Sequence, residues 1–353
     1  MQQMSADGPS SRRGRRSTLA LALAGALLAC APALAADLTV AAFGGAWEKA
    51  LRECYAQPFE RASGKSVAIS VGNPDQWLNQ IAASPQRPPL DVVVLGLDAL
   101  PGAMARNLLD PLDAANLPNM AQFGEAFVSA GRGYAAIMNY GGMGVLYNRS
   151  AVRTPPATWK EFVEGTIAGK WRAAIAGVNY PYSPLTTIWL LAHVYGGSID
   201  NVDVAFQKIK EMRRSGNLVF WSDNNQVLNQ LQSGEIDIAS YWDGRAWAFI
   251  DAGHSDYGFA IPAPGAPVSP SAMAKVRNGS PLAWQFLNTA MSAEAQSCFG
   301  NTIQYGVANR NAVFRPDVKP HITPPDQLLW APFDEIARHT PAWVERWNKE
   351  IGG

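Results

Sequence analysis

The chain has 353 residues, 48% of them hydrophobic, and its 29 lysines and arginines balance its 29 acids. That balance excludes the basic footprint of a nucleic-acid binder or a polybasic membrane surface, and the apolar fraction excludes a disordered chain. Three cysteines are too few for a disulfide-stapled miniprotein or a zinc ribbon, and no metal or cofactor is expected.

The charge is uneven along the chain. Arg12, Arg13, Arg15 and Arg16 precede an apolar run from Leu19 to Ala31, and Ala33-Leu34-Ala35 follows as small-x-small. This is the order of a secretory signal, and the run is shorter than the ~20 residues of a spanning helix. Residues 1–35 are therefore read as a signal peptide cleaved after Ala35, which makes the mature chain periplasmic. Arg15-Arg16 keeps a twin-arginine route open, and Leu27-Leu28-Ala29-Cys30 keeps lipidation at Cys30 open. The remainder holds 25 basic and 28 acidic residues. In an oxidising compartment Cys54 and Cys298 form an even pair, read as one disulfide or as two buried thiols.

Strands and helices then alternate. Leu38 to Phe43 reads as a buried strand ended by Gly44-Gly45. Leu51, Tyr55 and Phe59, four apart, predict a helix from Trp47 that stops at Gly64. Val67–Val71 is a second strand, and 75–83 a short helix with Trp77, Leu78 and Ile81 on one side. Asp91–Leu95 has no polar alternation, which predicts a strand buried on both faces of a parallel sheet. Ala136–Asn139 and Gly144–Tyr147 read as two strands. Thr158 and Glu161 form a capping box for the next helix. Further strands are read at Trp171–Val178, Leu218–Trp221, Ile236–Ser240 and Tyr257–Ile261, with helices at 183–195, 201–214 and 224–233 between them. Pro262–Pro267 breaks the periodicity, and the last 40 residues read as helical. The alternation implies an α/β fold.

Catalytic motifs are scarce. The histidines at 193, 254, 321 and 339 are unpaired in sequence, and no HExxH, GxSxG or CxxC occurs. An enzymatic role is not expected. Aromatic residues instead cluster at strand ends: Phe43 and Trp47 around Gly44 and Gly45, Tyr140 before Gly141, Tyr180 and Tyr182, Trp221, and Trp242 beside Asp243. Ligands of open α/β sheets sit beyond the carboxyl ends of strands, and aromatic faces supply apolar area and attract cations. These residues are the candidate ligand site, with core packing as the plainer alternative for each.

Trp221-Ser222-Asp223-Asn224, Gly234-Glu235-Ile236-Asp237 and Tyr241-Trp242-Asp243-Gly244, in that order, resemble the bacterial periplasmic solute-binding proteins, in particular the spermidine/putrescine-binding branch. Phe59 to Val67, Asp91 to Val94 and Ile303 to Asn309 are similar to further segments of that family. The resemblance implies a two-lobed type II periplasmic-binding-protein fold with a hinge and a ligand cleft between the lobes. Lobe one would take 37–134 plus 262–310 and lobe two 135–261 plus 311–353, with crossovers near 133–138 and 259–263. It further implies a monomer that closes on a small organic solute and docks on the permease subunits of an ABC transporter.

A polyamine or related amine is the expected solute. The places where that branch carries acids read Gly44-Gly45, Asn179–Ser183 and Val268–Ser271 here. Asp98 and Asp243 remain to meet an ammonium group, against plainer roles as helix cap and turn cap. Arg245 keeps open a carboxylate or an aromatic acid. A ligand sensor and an exported enzyme are the other classes.

Overall fold

The computed structural model describes residues 36–180 and 184–352. Residues 1–35, read above as a signal segment and including Cys30, and the candidate site residue Tyr182 lie outside the described residues. The strands are β1 Leu38–Ala42, β2 Val67–Val71, β3 Val92–Gly96, β4 Ala136–Asn148, β5 Ala173–Ala176 and β6 Leu218–Trp221. They continue with β7 Ile238–Trp242, β8 Tyr257–Ala260, β9 Ala266–Lys275, β10 Gly306–Val307 and β11 Leu328–Leu329. The main path runs β2-β1-β3-β9-β4-β7-β5-β6, with β8 and β10 paired to β4 and β11 to β9. Two parallel blocks, β2-β1-β3 and β7-β5-β6, are thus joined through antiparallel β9 and β4. β3 is buried as its unbroken apolar run predicts, though its pairing is parallel only towards β1.

Two expectations are corrected by the central strands. The two strands read at 136–139 and 144–147 are one, the 13-residue β4. Gly141 and Gly142 are not breaks but places of close approach. A Cβ on Gly141 would lie 2.9 Å from the Tyr305 ring, and one on Gly142 2.6 Å from Thr323 Oγ1. The Pro-rich stretch is likewise not all loop. β9 runs through Pro267 and Pro270, and Pro270 lies opposite Tyr140. Proline weighs against a central strand because it gives the ladder no N–H, and the signal misled for that reason.

Local chemistry sets the flanking helices. The helix from Ala46 to Ser63 includes a π turn at Arg52–Ala56 and ends at Gly64, whose φ of 68° takes the left-handed cap conformation. Thr158 Oγ1 accepts from Glu161 N at 3.0 Å, and Glu161 Oε2 accepts from Ala157 N at 2.7 Å. This is the expected capping box, reaching one residue further back.

The apolar side chains gather in two cores. One includes Phe59, Trp77, β3, Phe286 and Phe299; the other includes Trp159, Trp221, β7 and Trp347. Along β4, Tyr140 packs into the first and Met143 into the second, so the change of core falls at Gly141-Gly142, later than the 133–138 stretch expected. Leu328 belongs to the first core and Ala331 to the second. The final helix, Phe333–Glu350, buries Trp343 and Trp347 on the second. Cys54 in the π turn is bonded to Cys298 in the helix Ala293–Ile303.

Candidate functional site

A cleft of about 1030 Å³ opens between the two cores, bordered by strand ends from both. On the first wall, β1 stops at Ala42 and the chain turns through Gly45, at φ 73°, into the helix that begins at Ala46. Phe43, Gly44, Gly45 and Trp47 all border the cleft. Phe43 and Trp47 meet edge to face at 5.5 Å, and Trp47 packs on Phe299 at 5.1 Å. Asp98 stands just beyond β3, its side chain open to the cleft. It forms no ion pair among the described residues. The protein mass around the cleft raises its pKa, and nearby Asp75 adds to the shift against the opposing N–H groups of Asp98 and Ala99.

The second wall is a hydrogen-bonded aromatic cluster. Trp242, at the end of β7, borders the cleft and donates from Nε1 to Tyr180 Oη at 3.2 Å. Asn224 Nδ2 donates to the same oxygen at 3.1 Å, and Tyr241 Oη donates to Asn224 O at 2.8 Å. The helix Asp243–Asp251 follows β7 directly and carries Arg245 in its first turn, exposed to the cleft. The Arg245 charge lies close enough to the hydroxyls of Tyr305, Tyr180 and Tyr241 to oppose the rise in their pKa that burial causes. Arg245 makes no side-chain hydrogen bond or ion pair among the described residues. Between the walls, β4 contributes Asn139 and Gly141, and β9 contributes Ser269 and Ser271.

Three candidate residues do not face the cleft. Tyr140 stacks on Phe127 at 5.0 Å and donates from Oη to Thr323 O at 3.3 Å. Side chains alternate along a strand, so with Asn139 and Gly141 towards the cleft, Tyr140 points the other way. Trp221 is buried behind Tyr180, edge to face at 4.5 Å, and supports the wall from behind. Asp243 is buried at the join of the cores. Its Oδ2 accepts from Gly142 N at 2.8 Å and Thr323 Oγ1 at 2.5 Å, and its Oδ1 from Gly244 N at 2.7 Å. The backbone enters a helix at Asp243, and that turns the carboxylate inward. Phe43, Gly44, Gly45, Trp47, Asp98 and Trp242 do come together at the cleft. Asn139, Ser269, Ser271 and Tyr305 were not singled out. Tyr305 lay in the Ile303–Asn309 segment already noted, and the alternation of β4 would have exposed Asn139.

Residues 55–324 match the bacterial extracellular solute-binding proteins. The chain belongs to this family. It is the solute-binding component of an ABC transporter for a small organic solute, and an ABC permease is its partner. It is 26% identical over 300 residues to the gamma-aminobutyric acid-binding protein of Pseudomonas aeruginosa, across 82% of this chain and 81% of that one. An extracellular solute-binding protein from Bordetella parapertussis superposes with a TM-score of 0.81 at 25% identity, covering 89% of this chain and 98% of that one. A solved GABA receptor superposes with a TM-score of 0.75 at 20% identity, covering 88% and 96%. These neighbours share the two-lobed fold. Among the described residues, no helix is long and apolar enough to cross a membrane.

Proposed function

We propose that the captured solute is a small zwitterion of the ω-amino acid type, with its ammonium group towards Asp98 and its carboxylate towards Arg245. One observation carries the reading: among the described residues, the two cleft walls each present a single charge, of opposite sign, and neither is ion-paired. A charge in a partly enclosed cleft is costly without a partner. A zwitterion satisfies both at once, and its arrival favours the ionised form of Asp98. Phe43, Trp47 and Trp242 supply apolar and π surface for the methylene body. The P. aeruginosa relative, named for γ-aminobutyric acid, supports the same class. A polyamine, the solute expected from the sequence, would leave Arg245 facing a second ammonium group. In this reading the exported chain, cleaved after Ala35, acts as a monomer. Its lobes close because the solute binds the closed state better, and the closed form meets the permease.

The test is calorimetric titration with 4-aminobutyrate, 5-aminovalerate, putrescine, spermidine and butyrate. The ω-amino acids should bind. Arg245→Gln should weaken them by at least 30-fold, since truncating one partner of an enclosed ion pair costs about 2 kcal/mol or more. Asp98→Asn should weaken them about tenfold, roughly 1.4 kcal/mol. Binding of the polyamines alone, improved by Arg245→Gln, would overturn the zwitterion.

A further inference from the structure

We infer that Asn139 is a ligand-contacting residue, its amide hydrogen-bonding the solute between the two charged poles; this rests on the reading of the cleft above and deepens it. Three observations place it there. First, the side chain is only 3% exposed, yet it forms no hydrogen bond among the described residues, and its Oδ1 is fully enclosed without a partner. Buried amides are hydrogen-bonded as a rule, and one left unpaired loses its solvation for nothing in return. A leucine has the same branching and number of side-chain heavy atoms and carries no polar group to leave unpaired.

Second, its direction is set by the strand. Met138 and Tyr140 enter the first core, and Asn139 borders the cleft with Gly141. The space over the neighbouring Gly141 is taken by the Tyr305 ring, which borders the cleft beside Asn139.

Third, the sheet register puts Asn139 in line with the acid. Gly96 on β3 pairs with Ser271 on β9, and Ser271 pairs with Asn139 on β4. The Asp98 carboxylate folds back against Gly96. Neighbouring strands lie about 4.8 Å apart, so the row from the acid to the amide spans about 10 Å. Beyond it stand Tyr305, packed over Gly141 and Gly244, and then Arg245. A solute reaching from Asp98 towards Arg245 must pass over Ser271 and Asn139. Turning the amide by half a rotation exchanges oxygen for nitrogen, so it can meet either an acceptor or a donor on the solute.

The experiment uses the mature chain with Asn139→Leu and Asn139→Ala, titrated with 4-aminobutyrate and with putrescine, and melted without solute. Both variants should weaken the solute that wild type binds by at least tenfold. The solute-free Tm of Asn139→Leu should stay level or rise, a result that a merely structural amide would not give. Affinities within twofold of wild type would overturn the inference. So would a fall of several degrees in Tm for both variants, which would make the amide a structural brace. If wild type binds putrescine and not 4-aminobutyrate, the zwitterion reading fails, while Asn139 is judged by the same variants on putrescine. Binding of neither overturns both.

Discussion

The first lobe ties its two chain segments with a covalent bond, Cys54 to Cys298, while the second ties its returning segment with two buried tryptophans, Trp343 and Trp347. Both lobes face the same problem. Each core gathers residues from distant parts of the chain, and closing such long loops costs conformational entropy. The returning segment of the first lobe continues into β10 and onward to the second lobe, so it is anchored in mid-chain. The returning segment of the second lobe is the last helix, which reaches its core with one apolar face. Its outer face is laced by Arg346 to Asp203 at 2.6 Å and to Glu350 at 2.7 Å, and by Lys210 to Glu350 at 2.6 Å. Ion pairs with this much solvent contact are worth little each, so the tryptophans must hold the helix.

The contrast can be broken by mutation. Trp347→Ala should be the larger effect, about 3–5 kcal/mol, because it empties a fully buried site. Replacing Cys54 and Cys298 together by Ala should cost about 2–4 kcal/mol by freeing the unfolded chain. Differential scanning calorimetry distinguishes where the loss falls. The tryptophan change should lower the melting of the second lobe and the cysteine change that of the first. If each change shifts one shared transition by its full amount, the lobes unfold as a single unit, and the contrast is one of chemistry only.

The two ties were unequally legible. The cysteine pair was legible by counting once residues 1–35 were read as an export signal, although the count left open a disulfide or two buried thiols. The tryptophans of the last helix were read as part of a helical tail belonging to lobe two, but their burial was not legible, since Trp347 packs on Phe220, more than a hundred residues away. The cleft divides the same way. Phe43, Gly44, Gly45 and Trp47 follow directly on a strand, and the turn that exposes them is local. Trp242 borders the cleft for the same reason. Tyr140 and Asp243 lie away from the cleft because their directions depend on β4 running unbroken through two glycines and on the helix that starts at Asp243, and Trp221, at the end of β6, is covered by Tyr180. Asn139, Ser269 and Ser271 meet only through the antiparallel pairing of β4 with β9, and the prolines of β9 concealed that strand.

The join between the lobes uses neither device, and Asp243 gives the finest test of the contrast. Its carboxylate links the start of the helix Asp243–Asp251 to the hinge strand at Gly142 and to Thr323 on the returning segment. Tyr140 and Tyr305 face it, and both are held neutral by burial, which raises their own pKa values. Burial pushes the Asp243 pKa from the ordinary 3.8 up to about 7, outweighing the hydrogen bonds that oppose the shift. The folded chain therefore keeps a proton between about pH 4 and 7 that the unfolded chain has released. A raised folded pKa contributes stability that is complete at the acid end of this window and is lost as pH rises through about 7. The slope is about 1.4 kcal/mol per pH unit for one group. Urea unfolding of wild type and Asp243→Asn at pH 5 and pH 6 isolates it, since the other titrating groups are common to both. Wild type should lose about 1.4 kcal/mol relative to the variant over that unit. Parallel pH profiles would mean that the carboxylate is ionised throughout, held by Gly142, Gly244 and Thr323, and that the join is as insensitive to protons as the disulfide and the tryptophans on either side of it.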